Sequence, residues 1–96
     1  MHKILPPTLP NIDVTTFSTG SSSKVLPSVR NRRVFGIVNT GTTDMEVRLQ
    51  QDGAGDPILI RKASASGAAD GGSLDFAGYC GEVWVKGSGY IYHYAE

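Results

Sequence analysis

The stretch DMEVRLQ, residues 44–50, alternates without a break: Met45, Val47 and Leu49 fall on one side, Asp44, Glu46, Arg48 and Gln50 on the other. Side chains on extended backbone alternate with a period of two, so this is a strand with one buried face. Similar segments recur along the chain. RVFGIVN is an apolar run of strand length, PILIRK a short strand that Pro57 can only begin, and SLDF places Leu74 and Phe76 on one face. EVWVK and YIYHYAE complete the set. Gly-, Ser- and Asp-rich pieces separate them: TGTT, QDGAGDP, ASASGAADGG, AGYCG and GSG. Short strands every ten residues or so, with turn chemistry between them, predict an all-β fold. The expected form is a small antiparallel β-sandwich or jelly-roll-like barrel. Two hairpins are expected, one around TGTT and one around GSG.

Residues 1–30 read differently, as an extended Pro/Ser-rich N-terminal arm on a β-sandwich domain of residues 31–96. Pro6, Pro7 and Pro10 fix φ and remove donors, which excludes helix and central strand. Leu5, Leu9 and Ile12 are spaced among them, each able to seat in a partner's pocket. FSTGSSSKV reads as a flexible joint, with Val25 and Leu26 available for a short edge strand.

A packed part of about 65 residues buries only roughly 60% of the surface its unfolded chain exposes. Small scaffolds usually need a disulfide, a metal or a partner. Cys80 is the only cysteine, and His2 and His93 are the only histidines. Self-association or docking on a larger body is therefore expected, with no cofactor and no metal.

Nine basic and nine acidic residues balance to zero net charge, which argues against nucleic-acid binding by bulk charge. Lys24, Arg30, Arg32 and Arg33 lie in a segment without acids, and the later loops are acidic. Lys3-Ile4-Leu5 runs straight into prolines, so no secretion leader is expected, and no run is long enough for a membrane span.

Catalytic signals are weak. Cys80 and His93 form the single thiol–imidazole pair, without a nucleophile signature around either. Asp52, Asp56, Asp70 and Asp75 sit in or beside Gly-rich loops, where Asp serves turns. DGAGD lacks the alternating ligands and closing Glu of a calcium loop. Tyr90, Tyr92 and Tyr94 share one face of the last strand. Together with Trp84 they are candidates for an oligomer interface, since tyrosine suits surfaces that are half apolar.

The order of these parts carries a resemblance. Arg32-Arg33, the strand–turn from Ile37 to Gly41, the short strand from Pro57 to Ile60, and the ending from Tyr79 through Trp84 to Tyr94 resemble small β-sandwich virion proteins of tailed bacteriophages. The likeness covers about residues 31–96. It implies a non-enzymatic capsid cement or decoration protein on the outer surface of the virion, made in the host cytoplasm. Its implied partners are the major capsid protein of a phage head and further copies of itself as a homotrimer. Leu5, Pro6, Pro7, Leu9, Pro10 and Ile12 of the arm, and the basic Arg30, Arg32 and Arg33, would supply the contacts. The alternative is a tail or head-fibre accessory module that binds host-surface carbohydrate, with Trp84 and Tyr79 or Tyr92 stacking on a sugar ring.

Overall fold

A computed structural model describes residues 12–95 of the chain. It is all-β and antiparallel. The strands are β1 (Asp13–Leu26), β2 (Arg32–Asn39), β3 (Met45–Arg48), β4 (Ile58–Ile60), β5 (Ser73–Ala77) and β6 (Val83–Ala95), with one 3-10 turn at Gln51–Gly53. They form a single curled sheet in the order β4-β3-β6-β2-β5, and β1 also pairs with β6. Among the described residues no helix is long and apolar enough to cross a membrane.

β6 organises the sheet. β1 pairs along almost all of it, from Asp13↔His93 to Leu26↔Val83. On its other side β3 faces residues 84–86 and β2 faces residues 89–95. β2 and β3 thus run in the same direction along one edge of β6. The expected hairpin around TGTT is not formed: the chain turns a corner there and continues. The GSG segment is likewise not a hairpin turn, because β6 passes through it unbroken.

All three long strand paths bend at one level. Gly87 takes φ +146, a conformation that favours glycine. Opposite it, β1 inserts Gly20–Ser22 as a bulge between the Thr19 and Ser23 pairings. The Thr19 hydroxyl fastens the bend, donating to the Val85 carbonyl at 2.9 Å and accepting from the Gly87 N–H at 3.1 Å. The sheet folds there into two halves, β4-β3-β6-β1 over residues 83–86 of β6 and β5-β2-β6-β1 over residues 88–95.

The core lies between the halves. Met45, Val47, Ile60, Val83 and Val85 come from one; Phe35, Ile37 and Ile91 come from the other. Phe76 stacks on Phe35 at 5.7 Å with Tyr79 tilted against both, so Leu74 and Phe76 do share the inward face. The segment expected as a flexible joint is instead most of β1. Its Thr, Ser and Val residues suit extended backbone, and the long β6 supplies a ladder that local composition does not reveal.

Candidate interaction surface

Leu5, Pro6, Pro7, Leu9 and Pro10 lie outside the described residues. Ile12 leads into β1 and is 58% exposed, next to Val14 at 63%.

The two adjacent arginines have opposite fates. A bulge between the Arg32↔Ala95 and Val34↔Tyr94 pairings adds Arg33 to β2. One extra residue inverts the alternation, so Arg32 turns inward and is 1% exposed while Arg33 stays outside. The Arg32 guanidinium donates to the Gly81 carbonyl at 2.8 Å and to the Pro27 carbonyl. It ties the link after β1 to the turn before β6, and burial lowers its pKa from the ordinary arginine value. As a partner contact Arg32 is therefore corrected: it is a buried clasp. Arg30 and Arg33 remain at the surface, where they line a cleft of about 660 Å³ with Asn31, Gly78 and Cys80.

Trp84 points outward from β6 but carries the 50–56 loop. Gly53 lies against its ring, and its indole N–H donates to Glu82 Oε1 at 2.9 Å. The same carboxylate accepts from the Asp52 N–H at 2.8 Å and pairs with Lys24 at 3.6 Å. The Trp84 bond, then the Asp52 bond, hold the Glu82 pKa below its ordinary 4.5. The ring face expected to meet a partner or a sugar is thus occupied by the chain's own loop.

The tyrosines do share one outer face, all half-buried, opposite the buried Ile91. Tyr92 crosses Gly36 and donates its hydroxyl to Asp75 Oδ1, which raises the phenol's pKa. Along the outside of β6 the chemistry changes at the corner. Below it Trp84 is flanked by Lys24 and Arg48, and Lys86 by Glu46. Above it Tyr90 and Tyr92 are flanked by Thr16, Val14, Val38 and Gly36, and Tyr94 by Val34. One half has a charged outer face; the outer side of the other half carries Asp75 as its one charge among these neighbours, and Tyr92 already engages it.

Of the carboxylates considered for catalysis, Asp70 and Asp75 have local partners. Asp70 accepts from Ser64 N–H at 3.0 Å, with its pKa lowered chiefly by Ser64, and Asp52 forms the 3-10 turn at φ +62. The Cys80 thiol donates to the Arg30 and Arg32 carbonyls, while His93 faces Asp13 at 3.8 Å, so the two do not form a dyad. Among the described residues no three His, Cys, Asp or Glu side chains group to hold a metal.

Three structural roles escaped sequence reasoning. Asn39 is fully buried, and its amide faces the Thr43, Ile60 and Arg61 carbonyls at 3.0–3.1 Å while its oxygen accepts from Gly41 N–H. The Tyr79 hydroxyl meets the Leu49 and Glu82 carbonyls at 2.8 and 2.6 Å. Glu82 anchors Trp84. The sole prior signal was Asn39 itself, an amide on the inward parity of an apolar strand. No family model matches the chain, and no characterised protein and no solved structure is detectably similar to it.

Proposed function

We propose that this protein is a non-enzymatic structural module of a virion, a cement or decoration protein that binds the outer shell of a phage head and stabilises it. The observation that carries the reading is the placement of the exposed large hydrophobics. Ile12 and Val14 lie at the start of β1, and Ile58 and Leu59 on β4, two strands at the margins of the sheet. Apolar side chains at sheet margins suit contacts with other protein chains. The exposed Arg30 and Arg33 suit acidic groups on a shell. A module that binds only the assembled lattice stabilises it by mass action, and several simultaneous contacts strengthen the hold through effective concentration.

The test is co-sedimentation with heads assembled from the major capsid protein of the phage that encodes this chain, followed by heating. Saturable binding and a raised shell melting temperature are expected. A chain lacking residues 1–11 and carrying Val14→Ser retains β1 yet should bind more weakly. Equal shell stability with and without the protein would overturn the reading. Removing residues 1–30 is not a usable test, because it deletes the partner of β6.

A further inference from the structure

β1 contains two edges of different character. Residues 20–26 carry the usual protections of an exposed edge: the Gly20–Ser22 bulge, a second irregularity between Lys24 and Leu26, the charge of Lys24, and Pro27 just beyond. Residues 14–19, VTTFST, carry none of these. They are uncharged, mostly β-branched or aromatic, and in unbroken register with residues 87–92 of β6. Among the described residues β6 is the only strand that pairs with them, so their other edge of backbone donors and acceptors has no strand beside it. Val14, Thr15, Thr16 and Ser18 are all exposed, on both faces of the strand.

We propose that this edge pairs antiparallel with the same edge of a second copy about a twofold axis at Thr16, joining the two sheets into one. Self-pairing is the occupant that the segment's own chemistry fits. An isologous contact needs a self-complementary strip. With Thr16 facing its counterpart, Thr15 faces Phe17 on the inner side and Val14 faces Ser18 on the outer side. Asp13 faces Thr19, so the two copies of this acid stand at opposite ends of the ladder and no like charges meet. The outer faces centred on Tyr90 and Tyr92, which lie beside Thr16 and Val14, then form one continuous surface across the axis, on which Tyr92 engages the Asp75 carboxylate. This interface does not rest on the shell-binding reading, although both use Val14, and it makes the unit a dimer rather than the trimer that the resemblance implied.

Light scattering on the full chain over a broad concentration series tests it. The expected mass is twice 10.2 kDa. Thr16→Lys and Thr16→Glu each place like charges opposite one another at the axis and should raise the dissociation constant about ten-fold or more. Because Thr16 is exposed, the fold should survive in both, as circular dichroism would verify. Mixing the two variants should restore the dimer, which unfolded chains would not do. A monomeric wild type, a threefold mass, a dimer indifferent to either substitution, or no recovery on mixing would each overturn the proposal.

Discussion

Tyr92 crosses Gly36 so closely that a β-carbon on Gly36 would fall 2.2 Å from the ring's Cζ. The contact lets the phenol span β2 and reach Asp75 on β5, the strand paired with Gly36 on its far side. Gly36→Ala should therefore displace the ring and break the Tyr92–Asp75 bond, at a cost of about 1–3 kcal/mol. Urea unfolding measures it. In a Tyr92→Ala background the same change should cost much less, because the ring clash is gone and only the end of the Asp75 side chain must give way.

Asn39 holds the corner between β2 and β3. Asn39→Ala strips the Thr43, Ile60 and Arg61 carbonyls of a shared donor inside the fold and should destabilise by about 1–3 kcal/mol. Asn39→Asp should be worse, since it sets a carboxylate against those same carbonyls. The midpoints of urea unfolding, with unchanged slope, give the comparison.

Arg32 and Arg30 should separate sharply under alanine substitution. Arg32→Ala leaves the Gly81 and Pro27 carbonyls without their donor and opens space beside the core, for a loss of about 2–4 kcal/mol. Arg30 is exposed, and Arg30→Ala should stay within about 0.5 kcal/mol of wild type. Thermal unfolding of both proteins under one condition decides it.

Acid should loosen the loop over Trp84. Glu82 has a pKa held below 4.5, so its charged form is preferred in the folded state. Its stabilisation is fully present above that value and is lost as pH falls through the lower folded pKa. Trp84 is the only tryptophan, so its emission should shift red with acidification below pH 4.5. In Glu82→Gln this acid step should be absent, while the remaining unfolding transition persists.

Much of the local architecture was legible in the sequence. The alternation of residues 44–50, strand over Met45–Arg48, the facing of Leu74 with Phe76, and the common face of the three tyrosines follow from the two-residue period and appear in the fold. TGTT does separate β2 from β3, but GSG lies within β6 and does not interrupt it. Pattern says which face of a strand is buried, but not which strand lies beside it. Both segments therefore read as hairpin turns, although TGTT is a corner between β2 and β3 and GSG a bend inside β6.

The sequence by itself determined an all-β chain, the approximate strands and their inward faces, because these depend on side-chain alternation and turn chemistry within a few residues. Tertiary structure decided the partners. It placed β6 between β1 on one side and β2 with β3 on the other, and turned a Ser/Gly-rich joint into a fourteen-residue strand. It also separated two arginines that are indistinguishable as neighbours in the chain. The physical reason is a single bulge: one inserted residue reverses the pleat, sending Arg32 to buried carbonyls and leaving Arg33 at the surface.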